Sequence, residues 1–475
     1  MNPYLDVDKK IMAEIYTGSE PMDNLEVLCD VHGSRFPGTP GDKGSVDYMV
    51  KKFEEYGCEN VHHEKLNIPG WTRGPASLEV TSPIKKSFDV ISLPHSIGDE
   101  VEGELVFIGP GAIDVYEERK DEIDGKIVMV TSANPPGMKR FLHRSEKFMR
   151  SVMAGAKGWI FMNHYPAYGP PTGGINPVIP AIGLSHEDGA FLTRLLDREE
   201  EVTVRIRTTD KNHDVETYNV IADVVPENPV DDEYIVVGSH YDGHDISQGA
   251  VDPASGAVTV MEISRNLNLI KDKLKRRVRC MCFGAEEIGL YGSYAYADRH
   301  EDELDKCRFM LNLDSAGNEG VKGIVFHDFP ELEPLAKKYA EEMKAEFPFQ
   351  QKVSPYSDHW PFFLKSVPCG SHGGDPTEVR TGRGYGHTRY DTVDKVDLKY
   401  LRLAAANYTR FLFRVANEED WNPKRKTKEE IEEFIKEQGY DRTIKLADEM
   451  REYIKENFEE IHPETKEWLE RGGAW

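Results

Sequence analysis

The sequence is poor in what several protein classes need. Its six cysteines (Cys29, Cys58, Cys280, Cys282, Cys307 and Cys369) contain no C-x-x-C pair in 475 residues, which excludes the common thiolate zinc modules and a disulfide-stapled scaffold. Several sit inside apolar runs, where a free thiol packs as a small hydrophobe. No window holds the ~18 apolar residues of a membrane span. The opening "MNPYLDVDKKIMAEIY" carries two aspartates and no continuous apolar stretch, so it does not read as a secretory signal. Positive charge is in deficit: 59 basic against 84 acidic residues give a net charge of −25. That balance argues against a nucleic-acid backbone or an anionic membrane as the main partner. Neither G-x-x-x-x-G-K-[ST] nor G-x-S-x-G occurs, and "TGRGYG" (381–386) lacks the strand–loop–helix context of a dinucleotide site. The expectation is a soluble, cytoplasmic protein without nucleic-acid or membrane partners.

What is present is enough apolar content, 39%, to bury proper cores, and a length that sets two or three domains. Residues 1–74 read as helices around a glycine-rich loop, "GSRFPGTPG" (33–41). Val46, Met49, Val50 and Phe53 give helical spacing to 42–57, with Gly57 as a C-cap. Residues 75–215 change to short β-type runs, among them "GELVFIG", "KIVMVTS", "KGWIFMN" and "EVTVRIR", a β-rich domain of its own. From 216 to 417 strand and helix alternate: strands at 233–240, 276–285 and 307–317, helices at 255–270, opened by Ser255, at 289–300 and at 398–417. Such alternation predicts an α/β fold, a mostly parallel mixed sheet flanked by helices. Residues 418–475 are charge-dense with helical spacing, a C-terminal helical appendage packing on the body, with a homo-oligomer contact as the alternative.

In such sheets chemistry collects beyond the carboxyl ends of the strands, and the acids of this chain fall there. "GSHYDGHD" ends one strand with His240 and Asp242, two apart and so on one face, which lets Asp242 support the far nitrogen of His240. "QGAVDPASG" places Asp252 in a glycine-flanked loop. Glu286 and Glu287 end the next strand in "CMCFGAEEIGLYGS", Asp314 ends a third in "LNLDSAG", and "GYGHTRYDT" supplies His387 and Asp391. A lone histidine or an acidic pair at a turn is usually a solvated residue. Two imidazoles and four carboxylates from successive strand ends are different, because sharing a pocket unpaired would cost too much. Two divalent metal ions would neutralise them, and imidazole and carboxylate donors without thiolates suit zinc, with cobalt or manganese also compatible. One glutamate of the pair then ligates while its neighbour acts as general base toward water. "YSDHWPFF" (356–363) reads as a helix start capped by Ser357 or Asp358.

The blocks "GSHYDGHDISQGAVDPASGAV", "FGAEEIGLYGS", "NLDSAG" and "GHTRYDTVD" resemble, in order, the motifs of metallopeptidase family 28, the co-catalytic zinc exopeptidases. "GSRFPGTPGDKGSVDYMVKKFEEYG" is similar to that family's opening helices. "GKIVMV", "AGAKGWIFMN" and "IPAIGLSHEDGAFL" resemble a protease-associated domain, and "IPGWTRG" and "QGAVD" lean toward the plasma glutamate carboxypeptidase type of dipeptidase. The resemblance reaches to about residue 417. It implies a peptide substrate, with His240 and Asp314 on one metal, Glu287 and His387 on the other, Asp252 bridging, and Glu286 as catalytic base. Asp242 and Asp391 would support the ligands. Two departures stand out. Pro253 follows the bridging Asp252, and a cis bond before proline costs only ~0.5–1 kcal/mol, so Asp252–Pro253 is expected to be cis. The oxyanion tyrosine of some members has no clear counterpart: Ser354 falls near its place, leaving Tyr356 and Tyr385 as candidates. Arg380, Arg383 and Arg389 near His387 keep recognition of a substrate carboxylate open, with Arg383 the substrate-binding candidate. The expected activity is exopeptidase, aminopeptidase first, with a dipeptidase or carboxypeptidase or a non-catalytic scaffold on the same fold as alternatives.

Overall fold

The computed structural model describes residues 2–199, 201–375 and 385–471, and the chain divides into two compact units, Met1–Ile68 with Glu216–Glu432 and Pro69–Val215 with Glu433–Trp475. The predicted Arg380 and Arg383 lie outside the described residues.

In the first unit the apolar runs become strands buried on both faces. Every residue of Tyr234–His240 is buried, and so are all but the first of Arg277–Phe283. Continuous burial of this kind requires helices on both sides of the sheet. Ser255–Asn268 supplies one of them, itself buried at most positions, and the long helix Leu398–Asn417 packs against it. The sheet has eight strands, in the order Glu59–Thr72, Lys211–Val224, Arg277–Phe283, Tyr234–His240, Cys307–Asn312, Cys369–Gly373, Gly323–Phe326, Phe349–Gln351. Tyr234–His240 runs parallel to both neighbours, pairing His240 with Phe283 and Gly238 with Asn312. Three carboxyl ends therefore open onto one edge. Antiparallel pairs at Lys211–Val224 and at Gly323–Phe326 make the sheet mixed.

Two local expectations change. The segment Ala250–Ala254 is kinked at Asp252 (φ −118°, ψ 98°), and Ser255 beyond it already has helical backbone (φ −60°, ψ −34°), so Ser255 is not a cap. Its hydroxyl donates to the Val251 carbonyl at 2.7 Å and accepts from Gly317 N at 3.0 Å. The helix His359–Leu364 likewise has no side-chain cap, because Ser357 Oγ is turned to Asp314 Oδ2, 3.0 Å away.

The second unit holds its own eight-stranded sheet. One face is closed by apolar residues including Phe148, Val152, Trp159 and Phe161. The C-terminal helices Asp441–Asn457 and Pro463–Arg471 add Leu446, Met450, Ile454 and Trp468 to this same cluster. The opposite face buries Leu78, Ile127, Ile160, Ile182 and Leu192. Each such aliphatic chain removed from water is worth ~1.5–3 kcal/mol, which is how amphipathic tail helices of strongly charged composition are held in place. No helix of the described residues is long and apolar enough to cross a membrane.

Candidate metal centre

The site lies at the carboxyl edge of the first unit's sheet. Tyr234–His240 ends on His240, which is buried. Its Nδ1 hydrogen-bonds the backbone carbonyl of Asp242 at 3.0 Å. The carboxylate of Asp242, 3.7 Å from that nitrogen, does something else than expected: it accepts the backbone N–H of Glu286 at 3.0 Å and of Glu287 at 3.3 Å. One buried acid thus ties two neighbouring strand ends together. The turn that carries the two glutamates after Arg277–Phe283 is tight, with Ala285 at φ +58°, a conformation that side chains resist and that clusters at functional sites.

Asp252 comes from the loop before Ser255–Asn268, and the Asp252–Pro253 peptide is cis, as the sequence leads one to expect. The Asp391 carboxylate accepts the N–H of Val251 at 2.7 Å and of Asp252 at 3.0 Å. From the opposite side the wholly buried Arg35, in the "GSRFPGTPG" loop, donates to the carbonyls of Tyr241 (2.7 Å), Gln248 (2.8 Å) and Gly249 (2.8 Å). The loop that presents Asp252 is fixed at both ends. Gly386 lies against it so closely that an added Cβ would sit 2.8 Å from Asp252 Oδ2.

The distances between donor atoms repeat one value. His240 Nε2 is 3.5 Å from Asp252 Oδ1 and 3.4 Å from Asp314 Oδ1. His387 Nε2 is 3.5 Å from Asp252 Oδ2 and 3.5 Å from Glu287 Oε2. These separations are too long for good hydrogen bonds. Donors about 2.1 Å from a tetrahedral zinc lie roughly 3.4 Å from one another, so the spacing suits a cation placed between them. His240 Nε2 is buried and makes no hydrogen bond among the described residues, and an orphaned buried nitrogen is costly unless something else occupies its lone pair. Two groups of donors could each hold a metal ion: His240, Asp252 and Asp314, and His244, Glu287 and His387. Glu286 Oε2 stands 4.0 Å from His240 Nε2, beside the first group.

Electrostatics tell the same story. Burial drives the carboxyls of Glu286 and Glu287 well above the usual range; Glu287 adds to this at Glu286, and Asp252 at Glu287, against a partial offset from His240. Burial would lower His240, yet Glu286 and Asp314 hold it well above its ordinary value. Asp314 goes down despite its burial, because His240 and the hydroxyls of Ser315 and Ser357 stabilise its charge. Without a cation the acids must share protons, and a metal would release them.

His244 was not singled out in the sequence. It stands in "GSHYDGHD", two residues beyond Asp242, but in an irregular segment where no period fixes its direction. Its Nε2 lies 2.9 Å from Glu287 Oε2 and 3.1 Å from His387 Nδ1. Of the substrate candidates, Tyr356 is half-buried just before Ser357, and Tyr385 is exposed with the Lys395 ammonium 5.2 Å from its ring centre.

Fold and site together define a hydrolytic metalloenzyme. Residues 219–412 match Peptidase family M28, and residues 101–192 match the PA domain. The chain is 26% identical over 442 residues to carboxypeptidase Q of Xenopus laevis, covering 89% of this chain and 92% of that one. It is 26% identical over 302 residues to aminopeptidase YwaD of Bacillus subtilis (strain 168), covering 63% and 62%. Among solved structures, a peptidase M28 precursor from Shewanella amazonensis SB2B superposes with a TM-score of 0.76 at 24% identity over 89% of this chain and 98% of that one. BSAP, a zinc aminopeptidase from Bacillus subtilis, gives 0.66 at 23% over 84% and 95%. At these identities the structural likeness shows the fold alone. Residues 219–412 thus carry the likeness to peptidase family M28 and residues 101–192 the likeness to the PA domain, and the chain is a metallo-exopeptidase.

Proposed function

We propose that the protein is a zinc-dependent aminopeptidase that uses two metal ions. His240 and Asp314 would hold one, Glu287 and His387 the other, and Asp252 both, with Asp242 and Asp391 keeping the ligands in place. The observation that carries this reading is the shared carboxylate: Oδ1 of Asp252 faces His240 and Oδ2 faces His387, each at 3.5 Å. Zinc bound there would polarise a scissile carbonyl and acidify a water. Glu286 is the group left to move protons. Its side chain is 12% exposed, enough to meet a substrate, and its carboxyl is held up by burial, so it takes a proton from water readily and returns it to the departing amine. Asp242, by accepting the Glu286 and Glu287 N–H groups, would hold the first glutamate free for substrate and the second in place to ligate a cation. An excess of carboxylates around the site favours a substrate with a free ammonium end.

A second reading has its own support. The match to carboxypeptidase Q spans about nine-tenths of both chains, and Arg389 is exposed two residues after His387, where a guanidinium would meet a substrate carboxylate. Tyr356, Tyr385 and Arg383 remain the proposed substrate contacts. Aminoacyl arylamides, N-blocked peptides and free dipeptides separate the readings. The proposal expects arylamides and dipeptides to be cleaved and blocked peptides to be left intact. Cleavage of blocked peptides with a free carboxyl end, and none of arylamides, would move the assignment to a carboxypeptidase.

A further inference from the structure

The two imidazoles of the centre are held from behind in different ways. His240 is fixed by main chain: its Nδ1 meets the Asp242 carbonyl at 3.0 Å, which no substitution removes. His387 is fixed by a side chain. Its Nε2 faces Asp252 Oδ2 and Glu287 Oε2, both at 3.5 Å, while its Nδ1 faces His244 Nε2 at 3.1 Å. His244 is buried, packs edge-on against His387 with ring centres 4.6 Å apart, and its Nε2 also lies 2.9 Å from Glu287 Oε2. One nitrogen therefore touches both residues proposed to hold the second cation.

We propose that His244 is a positioning residue for that cation: its Nε2 accepts the Nδ1–H of His387 and so keeps His387 Nε2 unprotonated and turned toward Asp252 and Glu287. The inference rests on the reading that Glu287 and His387 hold a metal.

Proton bookkeeping supports the assignment. A neutral imidazole has one N–H and one lone pair. If His244 Nε2 carried a proton for Glu287, His387 Nδ1 would have to be the lone-pair side and its Nε2 the protonated one, which closes it to a metal. If His244 Nε2 is the lone pair, His387 donates from Nδ1 and Nε2 is open. Two lone pairs, of His244 Nε2 and Glu287 Oε2, would then face each other at 2.9 Å, a repulsion that a cation drawing charge from the Glu287 oxygen would relieve. His387 also sits at φ +60°, a backbone that does not settle its ring by itself, so a partner behind the ring has a job to do. Metal-bound histidines ordinarily lean on a carboxylate or a carbonyl, and losing that partner costs about 10–100-fold in metal affinity.

The test is a competitive chelator titration of zinc into metal-free full-length protein, comparing wild type with His244→Phe and His244→Gln, alongside a thermal melt of each metal-free variant. Phenylalanine keeps the ring and removes the acceptor; glutamine restores an acceptor oxygen. The expected result is two sites in wild type, one site weakened about 10–100-fold and the other unchanged in His244→Phe, and partial recovery in His244→Gln. Equal affinities in all three proteins would overturn the role. So would loss of both sites together, or loss of one site in both variants without recovery, which would make His244 a ligand instead. If His244→Phe does not fold, the His244→Gln and His244→Ala pair reads the same site-selective difference. A wild type that binds no zinc would instead sink the metal reading itself and is a different outcome.

Discussion

The two units of this chain bury charge to a similar degree and settle it in opposite ways. In the second, the helix Arg144–Met153 has Arg144, Glu146, Lys147 and Arg150 all buried. Glu146 lies 2.7 Å from Arg140 and 2.8 Å from Arg150 and accepts from Thr443 at 3.0 Å. Burial would raise its carboxyl, but the two guanidiniums take it below the ordinary value. Lys147 gives its ammonium to the carbonyls of Thr131 (2.9 Å) and Ala133 (2.6 Å). In the first unit Glu287 is similarly enclosed and Glu286 nearly so, and both are pushed upward. A chain that can pair its buried acids does so with arginine. Here it did not, and the missing positive charge must come from outside the chain.

The comparison can be broken most severely at Glu286. Glu286→Gln should retain bound zinc and lower kcat by two to four orders of magnitude, the range a general base contributes; normal turnover of an arylamide or dipeptide by that variant would remove Glu286 from the mechanism. A contrast of sign comes next. Glu146→Gln breaks a buried ion network and should destabilise the second unit by about 3–5 kcal/mol. Glu287→Gln removes repulsion and should raise the melting temperature of metal-free protein while abolishing its gain on adding zinc. Melts of both variants, each with chelator and with zinc, check this; the same sign for both without metal contradicts the contrast. Gly386→Ala pushes a methyl against Asp252 Oδ2 and should cost about 1–3 kcal/mol, felt as weakened zinc binding.

The smallest expected effect is in pH. Burial raises Asp42 and Asp391 to about 7 from 3.8. A raised folded value means stability fully present below the unfolded one, so the first unit without metal loses it as pH rises from about 4 to 7. Lys147 is lowered by burial from 10.5 to about 7. Its contribution is present above 10.5 and lost as pH falls through about 7. Hydrogen exchange on metal-free protein should show strand Tyr234–His240 weakening across the lower window and helix Arg144–Met153 strengthening across the upper. Lys147→Met should flatten the second response only.

Much of this was legible in the sequence because the strands are so regular. Apolar runs that end abruptly in His240, Glu286 and Asp314 announce both a parallel sheet and what lies at its edge. What was not legible depended on direction rather than position. The i, i+2 spacing put Asp242 beside His240 but could not say that its carbonyl, not its carboxylate, would take the ring nitrogen. Nor could it say that the carboxylate would be spent on the Glu286 and Glu287 N–H groups. His244 sits in irregular backbone, where periodicity has no hold. Ser357 looked like a cap because serine before a helix usually is one, yet Asp314 claimed its hydroxyl. The tail helices showed their apolar stripes, but a stripe does not name the surface it will cover; Trp468 and Leu446 found the core beside Trp159.

The central claim is that this cluster of acids is completed by two cations sharing Asp252. Zinc counted per chain by elemental analysis, on protein saturated and then freed of loosely bound metal, tests it most directly. The account predicts two per chain in the wild type and fewer in Asp252→Ala; one or none in the saturated wild type contradicts it.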